Sequence, residues 1–255
     1  MKTLLFLLCL MPFWFFCQTE IKSDSLNLKD NQGIYFDDYD NIYLYNAKNF
    51  SFTKYDTLGL KTAQQMLPRP FRAQAINNPL NIVFFSENTQ EIKLTDANLN
   101  DIQNIRFSEN FNFIKNVYVE DQQSLWLLED SSKKLIQYNY RNSKIVNSFP
   151  FHQSMEDVLD MLVYQNKLYL LKKNSFLVLN LKGDILDKID LNQPTKLKRE
   201  NETILVFTKA ELIQYSTDKK VKKISYKQDS EIVDKNKSGF LVRSKNKLYL
   251  YTPEL

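Results

Sequence analysis

LYLLKKNSFLVLNLKGDILDKIDL, from Leu168 to Leu191, reads as three successive strands. LYLL and FLVL are apolar runs too short for helices, and KKNS between them is a polar turn. Asn180 closes the second run, where a short polar side chain bonds its own backbone two residues on; Gly183 then supplies the left-handed residue that a tight reversal needs. ILDKIDL resumes as a strand with one face toward solvent. Three such strands cannot bury both faces by themselves, so the unit has to repeat.

The repeat is present six times. IYLY from Ile42, IVFF from Ile82, LWLL from Leu125, LYLL from Leu168, ILVF from Ile204 and FLV from Phe240 start 40, 43, 43, 36 and 36 residues apart. Eight residues upstream of each start lies another extended segment: IYFD from Ile34, QAIN from Gln74, VYVE from Val117, DMLV from Asp160, KLKR from Lys196 and IVDK from Ile232. The joins DYDN, NPLN, DQQS, YQNK, ENET and NKSG are polar turns, so the copies are hairpins of one design. Downstream, a third strand ends in a large apolar residue and a short polar one, as in Tyr55-Asp56, Leu94-Thr95 and Tyr138-Asn139. Gly59, Asn98, Asn142 and Gly183 follow as left-handed turn residues in the first four copies, with Lys219 in that place in the fifth. Fourth strands are expected near Ile102 to Phe107, Lys144 to Phe149, Ile185 to Leu191 and Val221 to Tyr226, with a poorly patterned one after Leu60.

This spacing is that of β-propeller blades. The expected fold is all-β, a six-bladed β-propeller of four-stranded antiparallel blades spanning residues 20–255, with a meandering β-sandwich or an open β solenoid as the alternatives. The sixth copy has no fourth strand of its own, and SDSLNLKD from Ser23, with Leu26 and Leu28 alternating with polar residues, is expected to supply it and close the ring. Composition agrees: 43% apolar, 13% aromatic and 25% charged residues, with 4 glycines and 7 prolines, exclude a collagen, a disordered chain and a disulfide-stapled miniprotein. The blade pattern resembles the NHL or YncE-like propellers, a likeness of fold that carries little functional specificity.

Residues 1–19, MKTLLFLLCLMPFWFFCQT, read as a secretory signal peptide: Lys2 is the only charge and Leu4 to Phe16 form an apolar run of h-region length. Cys17 and Thr19 suit a cut before Glu20, and a cut after Gln18 is the close rival. Lipid modification of Cys17 is the competing reading, against which stand Phe15 and Phe16 where small residues are usual. Both cysteines, Cys9 and Cys17, lie in this leader, so the exported chain would hold its fold without thiols or disulfides. The Lys-, Asn- and Ile-rich composition resembles secreted proteins of the Bacteroidota, which implies the periplasm, the outer membrane or the exterior as destination, with no transmembrane segment once the leader is gone.

Catalytic signatures are missing. Trp126 is followed by Leu127 rather than the Asp of a WD40 blade, a Gly-Gly pair of the kelch kind never occurs, and His152 is the only histidine. His152 with Glu156 and Asp157 offers at most a loop of acids for a polysaccharide lyase or hydrolase, and Asp37, Asp38, Asp40 and Asn41 coincide with a hairpin turn as much as with a calcium site. No cofactor or metal is expected. The innermost strands carry Asp37, Glu120, Asp160, Lys196, Lys198, Arg199, Asp234 and Lys235, which suit either a polar ligand pocket or solvated charges in a wet channel. From Lys196 to Lys247 there are 14 basic and 7 acidic residues, against 19 and 22 from Thr19 to Thr195. Blades five and six thus form a basic sector, with Lys219, Lys220, Lys222, Lys223 and Lys227 around one turn and outer strand, and lysines there also protect a sheet edge.

The expected function is a non-enzymatic interaction or scaffold module of the envelope, monomeric, binding a protein or glycan partner, or an anionic surface, through its propeller faces. Lys196, Lys198, Arg199, Lys219, Lys220, Lys222 and Lys223 are the candidate ligand-binding residues. An accessory subunit of an outer-membrane assembly or secretion machine is a special case of this expectation, and a nucleic-acid partner does not suit an exported chain.

Overall fold

A computed structural model describes residues 16–20, 28, 31–225 and 229–253. The described residues form strands and turns only, arranged as six four-stranded antiparallel sheets. After β1 (Phe16–Glu20), blade 1 is β2 (Asn31–Phe36), β3 (Ile42–Asn46), β4 (Ser51–Tyr55) and β5 (Lys61–Met66). Blade 2 is β6 (Arg72–Ala73), β7 (Ile82–Ser86), β8 (Glu91–Thr95) and β9 (Asp101–Arg106); blade 3 is β10 (Ile114–Val119), β11 (Ser124–Glu129), β12 (Lys134–Asn139) and β13 (Lys144–Pro150). Blade 4 is β14 (Val158–Tyr164), β15 (Lys167–Lys172), β16 (Ser175–Asn180) and β17 (Ile185–Asp190); blade 5 is β18 (Pro194–Glu200), β19 (Thr203–Thr208), β20 (Glu211–Ser216) and β21 (Val221–Ser225). Blade 6 is β22 (Ser230–Lys235), β23 (Phe240–Ser244) and β24 (Lys247–Pro253), completed by β1.

The N-terminal closure differs in place from the expectation. β1 pairs with β24 from Phe16 opposite Pro253 to Glu20 opposite Tyr249, so the closing strand is Phe16–Glu20 and not the segment around Leu26 and Leu28. Leu26 lies outside the described residues. Leu28 is 4% exposed and packs with Ile34, Phe36, Leu241 and Leu248, a wedge between blades 1 and 6 rather than a ladder strand. β1 also falls on the segment read as the end of a leader, and a cut after Thr19 would leave only Glu20 of it.

Local chemistry explains most of the remaining geometry. Asp56, Asp96, Asn139 and Asn180 each accept the backbone N–H two residues on at 2.8–3.1 Å, setting the turn into the outer strand. The left-handed residues there are Gly59, Leu99, Ser143, Gly183 and Lys219; in blades 2 and 3 they fall one residue later than Asn98 and Asn142. In blade 2 the aspartate at residue 96, not Thr95, carries the bond, which moves the turn with it. β6 has only two residues because Pro68 and Pro70 precede it and cannot donate to a ladder, although Gln74 N still bonds Val83 O at 2.9 Å.

The blades hold each other through aromatic and aliphatic side chains. Phe52 of blade 1 meets Phe84 of blade 2 edge-on at 4.8 Å, and Phe176 of blade 4 meets Tyr215 of blade 5 at 5.4 Å. All four are at most 2% exposed. Burying each such ring contributes roughly 1.5–3 kcal/mol.

Candidate functional site

The innermost strands aim two tiers of side chains at the propeller axis. Ladder register places Gly33, Arg72, Asn116, Asp160, Lys196 and Glu231 in one tier, and Tyr35, Gln74, Tyr118, Leu162, Lys198 and Asp234 in the next. The register skips one residue just before Gly33, Asn116, Asp160 and Lys196, and again just before Asp234, a bulge that re-aims the residue after it.

Most of these polar groups tie blade to blade. Asp234, fully buried, accepts Lys196 Nζ at 2.7 Å, Lys198 Nζ at 3.1 Å, and the backbone N–H groups of Phe36 and Lys235 at 3.0 and 2.7 Å. The same two ammonium groups donate to the carbonyls of Ile34 and Phe36 at 2.8 and 2.6 Å. Blades 5, 6 and 1 are thereby joined through one carboxylate. Burial disfavours the Asp234 anion, but Lys196 and Lys198 overcome it and hold its pKa below the usual carboxylate value. Burial pulls the Lys196 ammonium down, with Asp234 opposing. These inner charges are therefore not solvated in a wet channel: the Lys198 side chain is 2% exposed and that of Lys196 15%. Arg72 of blade 2 donates to Asn116 Oδ1 of blade 3 and to the Leu159 carbonyl of blade 4. Asp160 accepts the Leu197 N–H of blade 5 at 2.9 Å, and burial raises its pKa, with Arg72 opposing. Gln74 exchanges two bonds with the Val119 backbone at 3.0 and 2.8 Å, standing in for a strand between blades 2 and 3.

Beyond the tiers the axis opens on the face that carries the inner hairpin turns. A cavity of about 340 Å³ lies there, walled by Asn77 and Asn78 of blade 2, Tyr118, Glu120 and Gln122 of blade 3, and Arg199 of blade 5. A second cavity of about 180 Å³ adjoins it through Asn77 and Arg199 and reaches Glu200, Lys235 and Lys237. The Arg199 guanidinium lies 4.3 Å from the centre of the Tyr164 ring, which fixes its direction. Burial pushes the Tyr118 hydroxyl up to about 12, so it stays protonated. Asn77 bridges the mouth: its Nδ2 donates to the Arg199 carbonyl at 2.9 Å, its own carbonyl accepts Asp38 N at 3.0 Å, and its buried Oδ1 has no hydrogen-bond partner. Asn77 is thus fixed at a wall shared by both cavities by the bond from its amide to the Arg199 carbonyl. At the opposite end of the axis a smaller cavity of about 120 Å³ is walled by Arg72, Asp160, Lys196, Glu231 and Arg243.

Of the seven residues singled out from sequence, only Arg199 borders the larger cavity; Lys198 borders the adjoining one and Lys196 the opposite mouth. Lys219, Lys220, Lys222 and Lys223 stand on the outside of blade 5, far along the blade from the axis. Lys220 is paired with Asp218 at 2.6 Å and Lys223 with Glu211 at 2.9 Å; Lys227 lies outside the described residues. His152 and Glu156 are exposed on the link between blades 3 and 4, and Asp157 is held by Lys173 at 2.5 Å, a bond that lowers the Asp157 pKa. None of these three borders the axial cavities. Asp37, weighed for calcium, is saturated by Tyr39 N, Asn41 N, Asn41 Nδ2 and the Tyr43 hydroxyl at 2.8–2.9 Å, and Asp40 accepts Asn236 Nδ2 at 2.7 Å. The sequence reading missed Asn77, Tyr118 and Arg72. Their signal was present in the AINNPLN loop, the longest inner turn, and in the position of Arg72 two residues before the QAIN segment.

Known proteins of the same shape are distant in sequence. No family model matches the chain, and no curated protein matches it. A streptogramin B lyase structure superposes with a TM-score of 0.59 at 10% identity, over 94% of this chain and 98% of the other. A catalytically inactive histidine-to-alanine variant of virginiamycin B lyase from Staphylococcus aureus, with quinupristin, gives 0.56 at 11% identity over 94% and 89%. The Pan2 WD40 domain of Neurospora crassa gives 0.54 at 8% identity over 88% and 89%. At these identities the likeness is one of fold, and the same propeller serves an enzyme in one neighbour and a WD40 domain in another.

Proposed function

We propose that this protein is a non-enzymatic binding module of the cell envelope, and that it takes a glycan end in the axial mouth. The observation that carries this reading is the polar wall of the cavity of about 340 Å³, where Asn77, Asn78, Glu120, Gln122 and Arg199 converge beside Tyr118. The surrounding groups suit hydroxyl-rich ligands: amides at Asn78 and Gln122, a carboxylate at Glu120, a cation at Arg199 and the ring of Tyr118. The cavity is of a size for one or two sugar rings. Export rests on the apolar run from Leu4 to Phe16.

The test is retention of labelled protein on an array of neutral and uronate-containing oligosaccharides, followed by calorimetry on any that bind. Wild type is expected to retain at least one class, and Asn77→Ala to lose about tenfold or more in affinity while melting within about 1–3 kcal/mol of wild type. Absence of any retained oligosaccharide, or equal binding by Asn77→Ala, would overturn the reading.

A further inference from the structure

In a four-stranded meander the first and third turns share one face, so the inner hairpin turns and the turns into the outer strands both surround the axial mouth. Of the twelve large apolar side chains that stand exposed among the described residues, ten lie at or just after one of these turns, and only Met66 and Phe113 do not. Outer-strand starts supply most of them: Ile145 and Val146 in blade 3, Ile185 and Leu186 in blade 4 and Val221 in blade 5 are 41–56% exposed. The register of β13 skips Val146 and that of β17 skips Leu186, so these two side chains sit at bulges and leave the ladder. A solvated rim has no physical need for aliphatic side chains in three successive blades.

The charge beside them divides the rim. In blades 1 and 2 the equivalent apolar residues Leu58, Leu60 and Ile102 stand beside Asp56, Asp96 and Asp101, with Lys61 as the exposed cation next to Leu60. In blades 3 to 5 the neighbours are Arg141, Lys144, Lys182, Lys219 and Lys222, none of which pairs with a carboxylate among the described residues. Of the acids beside these residues, Asp218 is taken by Lys220, Asp187 accepts the Tyr215 hydroxyl at 2.9 Å, and Asp184, exposed, accepts the Asn180 amide at 2.8 Å. Lys219 Nζ reaches the Leu186 carbonyl at 3.3 Å and links the rims of blades 4 and 5 into one surface.

We propose that this rim, blades 3 to 5 on the mouth face, is an attachment surface for an anionic phospholipid bilayer. Unpaired cations are drawn to the headgroups, and the aliphatic side chains enter the headgroup boundary. The basic sector noted in the sequence is thus displaced: Lys219 and Lys222 belong to the surface, Lys223 faces Glu211, and blade 6 is replaced by blades 3 and 4. The attachment does not depend on the glycan reading of the mouth.

The experiment is co-sedimentation of the purified protein with vesicles of phosphatidylcholine alone, or of phosphatidylcholine mixed with phosphatidylglycerol, at low and high salt. Wild type is expected on the mixed vesicles at low salt, off them at high salt, and off the neutral ones throughout. Lys144→Glu, Lys182→Glu and Lys222→Glu together, all at exposed positions, should weaken binding at least about a hundredfold. Ile185→Ser with Leu186→Ser should weaken it about tenfold while keeping the salt dependence. Failure of wild type to bind, equal binding to both vesicle types, or undiminished binding by the charge variant would overturn the proposal. So would sedimentation velocity showing a wild-type dimer that the serine pair abolishes, since a second copy would then cover the rim.

Discussion

Replacing Asp234 by asparagine keeps the volume of the side chain and removes the charge that two buried ammonium groups share. The introduced amide would retain one oxygen for the Phe36 or Lys235 N–H, but its NH₂ would face Lys196 or Lys198 donor to donor. Breaking a buried pair by removing one partner costs about 3–5 kcal/mol. Against a total stability of about 5–15 kcal/mol this is a large fraction, and for a chain of this size it corresponds to roughly 6–20 °C in Tm. Differential scanning calorimetry and urea unfolding near neutral pH read it directly. Lys223→Gln is the control, since it breaks the Lys223–Glu211 pair on the outside of blade 5, and it should cost no more than about 1 kcal/mol. Adding Lys198→Met to Asp234→Asn removes the more deeply buried orphaned ammonium and should recover part of the loss. A loss below about 1 kcal/mol for Asp234→Asn would show that the axial charges are solvated after all and that they do not bind blades 5, 6 and 1 together.

The two axial carboxylates should respond to pH with opposite signs. The folded pKa of Asp234 is lowered, so its contribution is complete above the ordinary carboxylate value and is lost as pH falls through the folded one; Asp234→Asn should flatten acid unfolding. Asp160 is raised, so its contribution is present in acid and lost as pH rises through the folded value; unfolding free energies at several pH values should show Asp160→Asn gaining on wild type toward neutrality. Beginning the chain at Glu20 instead of Phe16 unpairs the outer edge of β24, and lower Tm or concentration-dependent aggregation is expected; an identical melt would remove β1 from the ring. Gly183→Ala meets only ordinary van der Waals contacts, with the nearest atoms at 3.6 Å, but forces an L residue to φ +90°, and thermal melts should show a loss of roughly 1–2 kcal/mol.

The blades were legible because strand period and turn chemistry are local. Apolar runs at Ile42 and Leu168, Asn180 and Gly183 say where a strand ends without reference to the rest of the chain. Closure was only half legible: that a strand had to come from the N-terminus followed from the sixth copy, but Leu28 alternates with polar residues equally well as a strand residue or as a wedge between blades. The axial charges were harder still. Lys196, Lys198 and Asp234 lie 36 and 38 residues apart in pairs, and their partnership depends on bulges that no composition or period announces. For Asn77 the long AINNPLN loop was a visible signal, but its bond to the carbonyl of Arg199, 122 positions away, was not.

β18 divides its labour between neighbouring residues, with Lys198 turned to the axis and Arg199 bordering the mouth. The most direct measurement is therefore a paired one: melting temperature and oligosaccharide binding for Lys198→Met and Arg199→Ala. Arg199→Ala is expected to melt within about 1 kcal/mol of wild type, the value of its contact with Tyr164, and to bind at least about tenfold more weakly. Lys198→Met is expected to change stability and leave the affinity of the folded protein unchanged. Full binding by Arg199→Ala, or a loss of binding by Lys198→Met at unaltered stability, would contradict the account and move the ligand to the inner tier.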